Sequence, residues 1–198
     1  MRARLLVATP PLADENFDRT VVLMLEHGPE GALGLVLNRP TDDDVAEHLR
    51  PWAIHTSNPP VLFYGGPVQP DGVIALARAA GGQGAPGPAL GSLAVEADES
   101  VRRPAFSPLL GRLGTVDLTV QPHELEVDLE AMRVFAGYSG WGPGQLEGEL
   151  EVGAWIVVDA LPGDAFHPQP DNLWRAILKR QGGRLSWLAN FPDDPEAN

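Results

Sequence analysis

The chain has no cysteine among its 198 residues. Disulfides, thiolate metal sites and thiol redox chemistry are therefore excluded. Long apolar runs are missing too. No stretch approaches the roughly 18 apolar residues of a membrane helix. The run at residues 5–8 is shorter than the about 7–15 residues of a secretion-signal core. These absences point to a cytoplasmic protein with no membrane segment. Basic residues are scarce, with 14 Lys and Arg against 27 Asp and Glu and a net charge of −13. Residues 1–100 hold 6 basic and 13 acidic residues, and residues 101–198 hold 8 and 14, so the two parts carry −7 and −6. The acidity is even and there is no basic arm. Such a field keeps a chain soluble and repels phosphate backbones, so nucleic acid is a disfavoured partner.

What is present fits one domain spanning residues 1–198, since a chain of this length buries roughly 70% of its unfolded surface. Short apolar runs at 4–9, 18–27 and 31–40 read as strands. The last two are joined by Gly28-Pro29-Glu30-Gly31, a hairpin signal. Residues 41–52 read as a short amphipathic helix with Thr41 as its cap. Asp42 to Asp44 lie at the positive end of its dipole, and Val45, Leu49 and Trp52 form one face. Strands follow at 61–67 and 73–79. Residues 80–91 are a flexible Gly/Pro-rich loop by composition. Short strands are expected at 92–96 and 115–120, a helix at 121–132 from Leu125, Leu129 and Met132, and a strand at 133–138. A short helix at 144–151 and a strand at 155–160 come next. The helix at 171–180 would be capped by Asp171 and bury Leu173, Trp174, Ile177 and Leu178. Residues 192–198 should fray. Strands and helices interleave irregularly, which gives an α+β or mixed class.

The stretch FAGYSGWGPGQLEGEL, residues 135–150, invites three functional readings. A serine nucleophile elbow needs a small residue where Trp141 stands. A P-loop needs lysine where Pro143 stands. The dinucleotide fingerprint does not match either. What remains is a strand–turn–helix corner, with an anion site at the turn as the functional alternative. The five histidines show no metal-ligand spacing, and Asp42 to Asp44 lack the alternation of a calcium loop. No metal, cofactor or catalytic constellation is assigned. Arg39, at a strand end, can pair a carboxylate or phosphate or form a structural ion pair. The helix at 171–180 carries Trp174, Arg175 and Lys179, which serve either a binding face or the core.

Three blocks carry a resemblance: LLVATPPLADENFDRTVVLMLEHGPEGALGLVLNRP, FYGGPVQPD and FAGYSGWGPGQLEGELEVGAWIVV. In this order and spacing the chain resembles the bacterial YqgE/AlgH family from Leu5 to Phe191. The matching positions are Arg19, Glu26, His27, Gly34, Asn38, Arg39 and Pro40, then Gly65, Gly66 and Pro67, then Gly137, Tyr138, Trp141, Gly144, Gln145, Leu146 and Glu147. The resemblance implies an α+β fold, a single domain with a bifurcated, partly barrel-like β-sheet surrounded by helices. It implies no settled activity. Members were named as transcriptional regulators, but no helix-turn-helix with a basic recognition helix is seen here. Family members often have Arg-Gly where Asp71 is followed by Gly72-Val73, so a basic group is missing from that edge.

The leading expectation is a non-catalytic binding or regulatory protein for a protein partner or a small anionic ligand. Its surface would be built from Asn38, Arg39, Gly65, Gly66, Tyr138, Ser139, Trp141, Gln145 and Glu147. One alternative is an enzyme on a small anionic metabolite, using Ser139, His27, Glu147 and Arg39. The other is a regulator that binds DNA directly.

Overall fold

A computed structural model describes residues 1–10, 14, 16–81 and 104–191. The loop expected at 80–91, beyond its first two residues, the strand expected at 92–96 and the tail at 192–198 lie outside the described residues. Ten strands form one sheet. They are β1 (Arg4–Ala8), β2 (Val21–Gly28), β3 (Gly31–Val36), β4 (Pro40–Asp44), β5 (Val61–Tyr64), β6 (Val68–Ala79), β7 (Phe106–Leu110), β8 (Leu113–Val116), β9 (Leu129–Trp141) and β10 (Trp155–Asp159). Four helices accompany them: α1 (Val45–His48), α2 (Gln145–Glu151), α3 (Leu173–Gln181) and α4 (Gly183–Leu188).

The main path runs β10-β1-β2-β3-β9-β6-β8-β7, and β4 and β5 form a branch off it. The branch point is β9. Its long N-terminal part pairs with β6, from Leu129 opposite Ala79 to Tyr138 opposite Val68. Phe135 and Ala136 also pair in parallel with Phe63 and Tyr64 of β5. Its last residues, Ser139 to Trp141, pair instead with Gly34 to Ala32 of β3. One strand thus serves two directions of sheet, which is the bifurcation that the family resemblance implied.

The fork is built from glycine. A Cβ on Gly65 would overlap the Gly137 carbonyl, one on Gly66 would overlap the Tyr138 backbone, and one on Gly137 would overlap the Gly66 carbonyl. Gly66 and Gly137 also have φ of +147° and +67°, where an L side chain is strained. Three hydrogen bonds close the junction: Val36 N to Gly65 O (2.9 Å), Gly65 N to Ala136 O (2.8 Å) and Ser139 Oγ to Gly65 O (3.2 Å).

Strand β1 is buried on both faces, which explains its unbroken apolar run. Alternate residues divide between two clusters. Leu5, Val7, Val21, Leu23, Leu35 and Leu37 pack with Trp174, Ile177 and Leu178 of α3. Leu6, Ala8, Val22, Met24 and Val36 pack with Trp141, Leu146 and Trp155 beside α2. A third cluster joins Val45, Trp52 and Leu62 to Ala75, Ala77, Met132 and Val134.

Two expected helices are strand at one end and short turns elsewhere. Residues 40–44 form β4, opposite Phe63 and Val61 of β5. Only one α-turn follows, capped by Asp44, whose Oδ1 accepts from Ala46 N at 2.7 Å; Thr41 instead donates to Leu62 O at 2.8 Å. A 3₁₀ segment at Arg50–His55, with Pro51 in its first turn, then brings Trp52 down beside Val45. The spacing thus reported a shared cluster correctly but not one continuous helix. Residues 121–132 form a 3₁₀ turn at Pro122–Glu124 and the start of β9. There strand pairing prevails over the helical spacing, because β6 supplies a full-length partner. Strand β7 was missed, and the strand expected at 115–120 is β8, shifted toward the N-terminus. Helix α3 begins two residues after Asp171, with Asn172 at the cap position.

Gly66→Ala should lose about 2–4 kcal/mol in urea unfolding, by overlap and backbone strain together. Gly148→Ala, in α2 with nothing within 4 Å of the added carbon, should gain up to about 1 kcal/mol. Equal effects of the two substitutions would remove the fork's steric argument.

Candidate functional site

The nine expected site residues do not gather in one place. Gly65 and Gly66 are the backbone of the fork. Ser139 is fully buried and its hydroxyl donates to Gly65 O. Tyr138 packs at the margin of the α3-side core. Asn38, only 7% exposed, is a clamp: Oδ1 accepts from Val21 N and Nδ2 donates to Arg19 O, both at 2.9 Å. It pins a tight turn in which Arg19 takes φ of +51°, a conformation uncommon for a residue other than glycine.

Trp141, Gln145 and Glu147 meet at the α2 corner. The strand continues through Gly137 and Gly140 as far as Trp141, so the turn proper is Gly142 to Gly144. Gly142 N donates to Gln145 Oε1 at 3.1 Å, which occupies an amide that an anion cradle would need. Glu149 accepts from the Trp141 and Trp155 indoles at 2.8 and 2.7 Å and from Gln145 Nε2 at 3.0 Å. Phe17 stacks on Trp141 at 6.1 Å and meets Trp155 edge-on at 5.4 Å. Glu147 Oε1 lies 2.8 Å from His27 Nε2, and His27 Nδ1 lies 3.3 Å from the terminal amine. The Glu147 carboxyl is held below the usual carboxylate range, first by its own backbone amide and then by the hydrogen bond from His27.

Arg39 stands in a different setting. Its Nη2 donates to Asp18 O at 2.8 Å. It lines a cleft of about 370 Å³ with Asp18, Arg19, Asn38, Pro40, Asp171, Trp174 and Arg175. The guanidinium carbons of Arg19 and Arg175 lie 5.6 and 5.9 Å from the Trp174 ring centre. The indole thus aligns two cations, an attraction of about 0.5–2 kcal/mol each. Trp174 is itself fixed, buried and donating Nε1 to Ala8 O at 2.8 Å. The far end of α3 is anchored by Arg180, which holds Asp164 at 2.7 and 3.1 Å. The Tyr64 hydroxyl donates to Asn16 Oδ1 at 3.1 Å. Its phenol is raised by burial and by Asp14, with Arg39 pulling the other way.

Sequence reasoning found Arg39 as a candidate and left Arg175 and Trp174 between surface and core. It had no signal for their meeting, because α3 reaches the cleft only by packing across β1 and β2. Arg19 was visible as a matched family position alone. Among the described residues, no group of three or more His, Asp or Glu side chains is arranged to hold a metal ion. No helix among them is long and apolar enough to cross a membrane.

The fold defines a single-domain α+β protein with a curled, half-barrel antiparallel sheet and a few helices. The AlgH-like family model matches residues 5–186, and the chain belongs to that family. A UPF0301 protein of Streptomyces avermitilis is 48% identical over the whole chain and 95% of its own length. Another from Thermobifida fusca is 45% identical over 98% of this chain and 93% of its own. A crystal structure from Corynebacterium diphtheriae superposes with a TM-score of 0.80 at 29% identity, covering 96% of this chain and 92% of that one. The solution structure of AlgH from Pseudomonas aeruginosa gives 0.60 at 27% identity, covering 97% and 94%.

The depressed Glu147 carboxyl stabilises the fold above the ordinary carboxylate pKa, and that contribution is lost as pH falls through the lower folded value. Glu147→Gln should therefore lower Tm at pH 7 and leave it nearly unchanged near pH 2. A Tm difference that persists undiminished at the acid end would exclude the ion pair as its source. Asn38→Ala should cost about 1–3 kcal/mol in urea unfolding, since it strips a buried amide and carbonyl of their partner.

Proposed function

We propose that the protein is a non-catalytic binding protein that recognises an anionic group in the cleft of Arg19, Arg39 and Arg175. The observation that carries this reading is the gathering of three arginines in one cleft, two of them over the Trp174 indole, in a chain of net charge −13. Guanidinium forks suit carboxylate and phosphate groups, and a cleft strengthens such bonds by partly excluding water. Asp18 and Asp171 in the same lining would favour ligands that also carry a donor. We place the protein in the cytoplasm and assign a regulatory role through the ligand rather than through DNA, whose backbone the overall charge repels. Neither Ser139 nor the His27–Glu147 pair lines the cleft, so the reading calls on no nucleophile or base.

The test is a thermal-shift screen with phosphate, sugar phosphates and organic acids. A ligand at 100 times its Kd adds about 2.7 kcal/mol, or about 5–10 °C in Tm for a domain of this size. Arg39→Ala should weaken the hit by about ten- to a hundredfold, the worth of a charge-assisted hydrogen bond. A hit that survives Arg39→Ala and Arg175→Ala unchanged would move the site elsewhere.

A further inference from the structure

The arginine cleft adjoins a second hollow. Pro40 and Asp171 line both, and the second has a volume of about 630 Å³. Its walls include Asn58-Pro59-Pro60 and Pro168-Gln169-Pro170. Proline has a fixed φ and no N–H. Such walls present ring faces and carbonyl acceptors on a backbone with little freedom left to lose on binding. The two walls are joined through Arg133, which is 1% exposed. Its Nη2 donates to Asn58 O at 2.8 Å and to His167 O at 3.3 Å, and Nη1 donates to Ala165 O at 2.9 Å.

Charge is sorted along this groove. The cations sit at the cleft end. Among the described residues, the proline-walled end is lined by no charged side chain except Asp171, at the shared boundary. A free phosphate or carboxylate would fill the first part and leave the second empty, and each part alone lies within the roughly 300–1,000 Å³ of a ligand pocket. The matching ligand is anionic at one end, has an N–H donor next to that anion, and continues as an uncharged, extended body.

We propose that the continuous groove binds the C-terminal segment of an extended peptide. The terminal carboxylate lies among Arg19, Arg39 and Arg175, the last amide N–H donates to Asp171, and the preceding residues lie between the proline walls. This rests on the reading of the cleft as an anion site.

The probe is a pool of randomised hexapeptides, fluorescein-labelled at the N-terminus, made both as free acids and as C-terminal amides. Anisotropy is followed on the full chain, with inorganic phosphate binding measured separately by thermal shift. The free-acid pool should bind at least tenfold more tightly than the amide pool. Gln169→Trp, which narrows the proline-walled part, should weaken the peptide tenfold and change phosphate affinity less than twofold. Arg39→Ala should weaken both. Asn172→Trp serves the same purpose should Gln169→Trp fail to fold by circular dichroism. Acid and amide pools within twofold of each other would overturn the proposal. So would folded groove variants without effect, or an amidated phosphoserine pool that binds more tightly than the free acids. Phosphate binding with no gain from peptide would sink the peptide inference and leave the anion site standing, whereas no binding of either would remove both.

Discussion

The close approach of backbones at Gly65, Gly66 and Gly137 is the constraint on which the rest of the structure depends. A sheet strand has two edges, and β9 must give one edge to β6 and divide the other between β5 and β3. That division places the chain leaving β5 directly against β9, at distances that no side chain at those positions allows. Every larger feature follows from the fork. It curls the sheet, separates the two faces of the β1–β3 region, and sends β4 and β5 off the main path. The arginine cleft lies where β3 ends and β4 begins, so it is a product of the same branching.

Two kinds of tryptophan environment distinguish the faces. On the α3 side Trp174 is buried with two guanidiniums near its ring. On the α2 side Trp141 and Trp155 share the Glu149 carboxylate. A carboxylate that accepts from two indoles and an amide has its lone pairs well satisfied, so half-burial there carries little desolvation cost. The corner that attracts the eye in the sequence is thereby occupied with itself, and the less conspicuous Arg39 stands in the open cleft.

Much of the fold was legible where one physical signal dominated. The β2–β3 hairpin followed from the turn signal Gly28-Pro29-Glu30-Gly31, and α3 from its apolar face. The signal failed where helical spacing was present without a helix. Leu125, Leu129 and Met132 satisfy a helix, but Ala131 to Phe135 are all buried, with Met132 and Val134 in one cluster and Phe135 in another, so the segment is a strand covered on both faces and paired with β6. Val45, Leu49 and Trp52 do meet one cluster, by a route of strand, single turn and 3₁₀ segment that no periodicity describes. The family resemblance supplied the bifurcation, which residue patterns alone did not contain. For the site, strand-end placement identified Arg39, while Arg175 lies 136 positions away in the chain and joins it through tertiary packing.

Two of the charged joints differ in what can undo them, Glu147 with His27 and Arg133 with its carbonyls. The Glu147–His27 contact depends on the ionisation of the Glu147 carboxyl, which is held below the usual carboxylate range. Arg133 is held by three carbonyl oxygens, which do not titrate, and burial lowers its guanidinium only to about 10. Acidification therefore loosens the α2 corner while the proline walls stay riveted together. The molecule can soften on one side in acid and keep the shape of its groove on the other.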